Sequence, residues 1–132
     1  PQSNAVVAWT CGTGITRDVE PPTCPVSRPL RFLVTFPDCW DGEHLVADDH
    51  MSHMAYSSGG RCPVTHPVPV PQLQFSIAYG FSGDPSGLRL ASGSVLTGHA
   101  DFFNAWHEEE LADEIANCLH RGVVCGITSG RE

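Results

Sequence analysis

Apolar and polar residues alternate with a period of two in several stretches, the pattern of half-buried β-strands. In "LRFLVTF", Leu30, Phe32, Val34 and Phe36 share one face, Arg31, Leu33 and Thr35 share the other, and Pro37 ends the run. In "QLQFSIAYGF", Leu73, Phe75, Ile77, Tyr79 and Phe81 line one face, with Gln72, Gln74, Ser76, Ala78 and Gly80 opposite. "NAVVAWT", from Asn4 to Thr10, predicts a further strand. "GDPSG" is a turn, and "LRLAS" after it predicts a short return strand that would complete a hairpin. The period becomes helical once, in "HADFFNAWHEEELADEIANCLHRG". There Leu111, Ile115, Cys118 and Leu119 follow the i, i+4, i+7, i+8 rule. Glu108, Glu109 and Glu110 near its start and His120 and Arg121 near its end suit the helix dipole. Asn104 or Asp101 would cap it, and Gly122 would follow its last turn.

The remaining stretches have no sustained period. "CGTGITRDVEPPTCPVSRP" is rich in turn residues. "THPVPVPQ" predicts an extended connector or a sheet edge that does not donate hydrogen bonds. "FPDCWDGEHLVADDHMSHMAY", Phe36 to Tyr56, reads as loop. The pattern predicts a mainly β fold, an antiparallel sheet or sandwich-like arrangement, with one C-terminal α-helix packed at an end. A single domain over residues 1–132 is expected. Its strand count is low for a closed sandwich, so further parts of the domain are expected outside this chain, as is a processed or excised origin for a chain that starts at Pro1.

Composition narrows the partners. The chain has 132 residues, a hydrophobic content of 41% and a formal charge of −8; all seven basic residues are arginines. An acidic chain without lysine argues against nucleic acid and anionic membranes and leaves a neutral or cationic partner. No apolar run is long enough to span a bilayer. Seven histidines make the charge strongly dependent on pH in mild acid. Six cysteines at wide spacing, with no C-x-x-C, favour a disulfide framework in an oxidising compartment over zinc or redox chemistry. The sequential pairing is expected: Cys11–Cys24, Cys39–Cys62 and Cys118–Cys125, each closing a loop that carries turn residues.

Candidate chemistry concentrates in the loop from Phe36 to Tyr56, which holds five acids and three histidines and no basic residue. His50 and His53 are three apart; on a helical turn they would share a face and bind a divalent metal ion, with Asp49 as a third ligand or an orienting group. The alternative is a hydrogen-bonded loop. Asp38 and Asp41 flank Trp40, a pairing that suits acid–base work on a sugar beside a stacking indole; the alternative is a pair of turn residues beside Gly42. His99 and Asp101 stand two apart, as an imidazole and its orienting carboxylate would. Asn104 and Trp106 would contact a ligand, though Asn104 also suits capping, and Phe102, Phe103 and Trp106 suit the core better. His66, between Thr65 and Pro67, suits a structural role. No nucleophile elbow, phosphate loop, dinucleotide fingerprint or calcium loop is present.

Taken together, "TFPDCWDG", "DHMSHMAY", "GGRCPVTHPVPVPQL" and "HADFFNAW", in this order, resemble a secreted bacterial and fungal family, the domain of unknown function numbered nineteen ninety-six. The resemblance runs from "VVAWTCG" to "VVCGITSG". It implies an extracellular protein and, through the carbohydrate-binding or cell-wall modules that some members carry, a polysaccharide connection. It also implies that this chain matches the C-terminal half of a longer domain, so a site shared with the missing N-terminal half would be incomplete. The family-like polar positions are Asp38, Trp40, Asp41, Asp49, His50, Ser52, His53, Tyr56, His66, His99, Asp101, Asn104 and Trp106, and the resemblance assigns them no roles.

Three functions follow as expectations. The first is a secreted carbohydrate-active domain, a glycoside hydrolase in which Asp41 and Asp49 are the acid and base, His53, His99 and Asp101 orient or relay protons, and Trp40 and Tyr56 stack on sugar. It requires the "FPDCWDGEHLVADDHMSHMAY" and "HADFFNAW" segments to face each other across one pocket. The second is a non-catalytic module that binds cell-wall glycan through exposed aromatics. The third is a structural, self-assembling extracellular protein whose apolar face or strand edge meets a partner chain.

Overall fold

A computed structural model describes residues 5–14 and 16–125. The chain divides into two compact units, Pro1–Ala100 and Asp101–Glu132.

The first unit contains two antiparallel three-stranded sheets. Strands β1 (Val7–Cys11), β2 (Leu30–Thr35), β3 (Cys39–Trp40), β4 (Met54–Ala55), β5 (Val68–Pro69) and β6 (Gln74–Ala78) follow in chain order. The larger sheet runs β1-β2-β6 and the smaller β4-β3-β5. The strands expected in "NAVVAWT", "LRFLVTF" and "QLQFSIAYGF" are therefore present, although Asn4, the first residue of the strand predicted at Asn4 to Thr10, lies outside the described residues.

β2 is central because its residues suit burial on both faces. Leu30, Phe32 and Val34 are buried on one side, and Leu33 and Thr35 on the other. The second face was expected to be polar. Instead, the Thr35 hydroxyl accepts from the Gln74 side-chain amide at 3.0 Å, and the Thr35 carbonyl accepts the Tyr56 hydroxyl at 2.9 Å. Register places Trp9 against Phe32 and Phe32 against Ile77. The Trp9 and Phe32 rings lie 4.8 Å apart, and the Trp9 indole donates to the Val95 carbonyl at 3.3 Å. Trp9, Cys24, Leu30, Phe32 and Val34 form the core.

The segment expected to return as a strand does not. After β6 the chain stays beside β2: the Leu30 N–H donates to the Phe81 carbonyl, and Gly83 bridges to Cys24. It then leads away, with only a local bridge between Leu90 and Gly93. Leu88 and Leu90 instead pack on the core. The proline-rich connector contributes β5, an edge strand of the small sheet, as its missing N–H groups allow.

All three disulfides pair in sequence order, Cys11–Cys24, Cys39–Cys62 and Cys118–Cys125. Cys24 and Cys39 are buried. No helix among the described residues is long and apolar enough to cross a membrane.

In the second unit the helix is shorter than expected. Helix α1 (Glu108–Glu114) continues into a π-type turn at Ile115–Leu119. Residues 101–107 are not helical. The run of Phe102, Phe103 and Trp106 has weak helix propensity, and the Asn104 side chain accepts the Trp106 N–H at 3.2 Å, a local bond that competes with helix. His107 occupies the N-cap position with no side-chain cap bond, so neither Asn104 nor Asp101 caps α1. Phe102, Phe103 and Trp106 are exposed rather than core residues.

Gly98 has a specific steric role. A Cβ at this position would overlap the Phe32 Cζ and lie 2.7 Å from its Cε2, inside the core. Gly98→Ala is expected to destabilise the fold by about 1–3 kcal/mol, because the buried ring cannot retreat without repacking. Chemical denaturation of the variant beside the wild type measures this, and an unchanged midpoint would show that the core yields freely.

Candidate functional site

The small sheet positions the acidic loop. β3 pairs with β4 and β5 through only two residues each, Cys39 with Ala55 and Pro69, and Trp40 with Met54 and Val68. Asp38 reinforces this short sheet. Its carboxylate accepts the Ser57 N–H at 2.7 Å and the Ser57 hydroxyl at 2.6 Å, and its carbonyl accepts the Val70 N–H at 2.9 Å. Asp38 therefore braces the sheet that carries the loop.

Residues 41–52 then fold over an open concavity of about 580 Å³, lined by Asp41, His44, Val46, Ala47, Asp48, Asp49 and Ser52. Two aspartates organise its walls by the same device. Asp41 Oδ1 accepts the N–H groups of Glu43 at 2.9 Å and His44 at 3.0 Å. Asp49 Oδ1 accepts those of Met51 at 2.9 Å and Ser52 at 2.7 Å. Hydrogen bonds donated to a carboxylate favour its ionised form. The backbone N–H groups of His44 and Glu43 hold Asp41 well below the usual carboxylate range, with a further contribution from the His44 side chain. Those of Ser52 and Met51 lower Asp49 to about 2.

The structure pairs Asp41 with a histidine that sequence pattern did not single out. His44 Nδ1 lies 2.8 Å from Asp41 Oδ2. The His44 carbonyl also accepts the Trp40 indole N–H at 2.7 Å, which fixes the indole against the same turn. Trp40 is half-buried. The only sequence signal for His44 is its place three residues after an aspartate, with Gly42 between them at a φ of 85° that lets the chain reverse.

The other expected residues are distributed differently. His50 and His53 do not share a helical turn: His50 has a left-handed φ of 58°, and residues 49–53 form bends and turns. His53 does not line the basin; its Nδ1 accepts the N–H of the lining residue Ala47 at 3.4 Å. Among the described residues no group of three or more His, Cys, Asp or Glu side chains is arranged to hold a metal ion. His66 pins the loop from outside: Nε2 donates to the Ser52 carbonyl at 2.9 Å, while Nδ1 pairs with the Thr65 hydroxyl. Tyr56 is partly exposed, and burial of its ring, followed by the nearby Asp38 charge, raises its hydroxyl pKa. His99 donates Nδ1–H to the Thr97 carbonyl at 3.0 Å, so Asp101 does not orient it through that nitrogen. Asp101, Asn104 and Trp106 belong to the second unit. Of the expected catalytic set, Asp41 and Asp49 line the basin, and His53 touches it only through its bond to Ala47.

These features define a disulfide-braced antiparallel β domain with an acidic open basin on its smaller sheet. The chain belongs to the family described as a domain of unknown function (DUF1996), whose model matches residues 1–106. No curated protein and no solved structure matches the chain.

Because Asp49 is lowered from 3.8 to about 2, its turn is fully supported above the ordinary value and loses support as pH falls through the depressed one. The amide signals of Met51 and Ser52 should therefore titrate together with a midpoint near about 2 in an acid series followed by NMR. A midpoint at the ordinary aspartate value would show that the turn does not hold the carboxylate.

Proposed function

We propose that the chain is a secreted glycan-binding module whose ligand lies in the basin walled by Asp41 and Asp49. The observation that carries this reading is that both carboxylates are fixed by backbone N–H groups and held ionised. A positioned, ionised carboxylate is a strong acceptor for sugar hydroxyls. It is a poor proton donor, and glycosidic cleavage needs one carboxyl whose pKa is raised. The open shape of the basin suits a chain ligand. Three disulfides suit an oxidising, extracellular setting.

A hydrolase is the second reading, and one observation favours it: the Asp41–His44 hydrogen bond orients an imidazole as a general base is oriented. The two readings separate in one experiment. Wild-type protein is incubated with insoluble cellulose, chitin and β-1,3-glucan, and both retained protein and released reducing ends are measured. Retention on one polymer without release is expected. Asp49→Asn should weaken retention roughly tenfold, about 1.4 kcal/mol, while Trp106→Ala reports whether the exposed indole of the second unit contributes separately. Release of reducing ends that depends on His44 would establish the hydrolase instead, and absence of retention on all three would remove the glycan reading.

A further inference from the structure

Asp41 commits both carboxylate oxygens to one turn. Oδ1 takes the two backbone N–H groups, and Oδ2 faces His44 Nδ1. An ionised carboxylate has only lone pairs to offer, so Nδ1 carries the proton whether the ring is neutral or charged. Among the described residues Nε2 of His44 makes no hydrogen bond, and the side chain is 61% exposed at the basin wall. The backbone beneath it is fixed as well, since its carbonyl receives the Trp40 indole N–H. One nitrogen is thus locked by the protein, and the other is left for a ligand.

We infer that His44 is a ligand-binding residue of the basin whose Nε2 accepts a hydrogen bond from a sugar hydroxyl when the ring is neutral and donates one to a sugar oxygen when it is charged. This rests on the glycan-binding reading of the basin. The charged groups around the ring are Asp41 and Glu43 in its own turn and Asp48 and Asp49 in the basin lining; none of the lining residues is basic. The hydrogen bond to Asp41 raises the His44 pKa above its ordinary value, and the charges of Asp41 and Glu43 add to it. The ion pair is therefore fully present below the ordinary histidine value and is lost as pH rises through the elevated one. Nε2 changes from donor to acceptor over the same interval, so bound hydroxyl patterns are selected by pH.

The ring is read directly by long-range proton–nitrogen correlation NMR on the wild type across about pH 5 to 8. The neutral ring is expected as the Nδ1–H tautomer, with a titration midpoint above about 6.5. Asp41→Asn should lower that midpoint and release the Nε2–H tautomer. A wild-type neutral ring in the Nε2–H form, or a midpoint that Asp41→Asn leaves unchanged, overturns the lock. Binding is then measured with soluble cello-, laminari- and chito-oligosaccharides. The pH dependence of wild-type binding should be lost in His44→Gln, which keeps donor and acceptor atoms but does not titrate. Binding whose pH dependence survives in His44→Gln overturns the role of His44 alone. No wild-type binding to any of the three overturns the glycan reading and the ligand named here, and leaves the ring measurement to stand on the lock by itself.

Discussion

The Cys39–Cys62 disulfide is the constraint on which the acidic basin depends. β3 is two residues long and pairs with two partners as short as itself. Strands of that length have little stability of their own. The bridge ties the buried end of β3 to the loop 23 residues on, an effect worth about 3 kcal/mol for a loop of this order. Asp38 adds bonds to Ser57 and Val70 at the same place. Tyr56 then links this small sheet to the large one through the Thr35 carbonyl on β2. The loop from residue 41 to 52 thus starts and ends on a covalently braced frame, although it has no regular structure itself.

On that frame, polar groups replace packing as the source of order. Asp41 and Asp49 each gather consecutive N–H groups, and His66 holds the Ser52 carbonyl from outside. Each aspartate is consequently ionised, oriented and partly used. This has a chemical consequence. A carboxylate already engaged with backbone donors keeps lone pairs for a ligand's hydroxyls, but its affinity for a proton is low. The same bonds that shape the basin therefore favour recognition over acid catalysis. The bond to Asp41 raises the pKa of His44, and Asp41 fixes which of its nitrogens faces outward.

Much of the architecture was legible in the pattern of residues. The apolar residues of β2 and β6 alternate clearly in sequence, although β2 is buried on both faces and β6 gives the core only Phe75, and the disulfide pairing follows from loops that carry turn residues. The errors have physical causes. "LRLAS" has strand composition, but Phe81 and Gly83 continue alongside Leu30 and Cys24, and the chain then turns away to place Leu88 and Leu90 on the core. Apolar spacing over Phe102 to Trp106 reads as helix, but their weak propensity and the local bond of Asn104 keep this stretch out of α1. The site was less legible. HxxH spacing puts His50 and His53 on one face only within a helical turn, and the left-handed φ of His50 excludes one there. His44 gave no periodic signal, since its meeting with Asp41 depends on the reversal at Gly42, a matter of backbone conformation.

We propose that the walls made by Asp41 and Asp49 receive a glycan. The most direct measurement is an NMR titration of isotope-labelled protein with the soluble oligosaccharide of whichever polymer retains it. The amide signals of Glu43, His44, Met51 and Ser52 are expected to shift together with the Trp40 indole N–H, because the ligand shares their acceptors. Shifts confined to other surfaces, with these five signals unmoved at saturation, would contradict it.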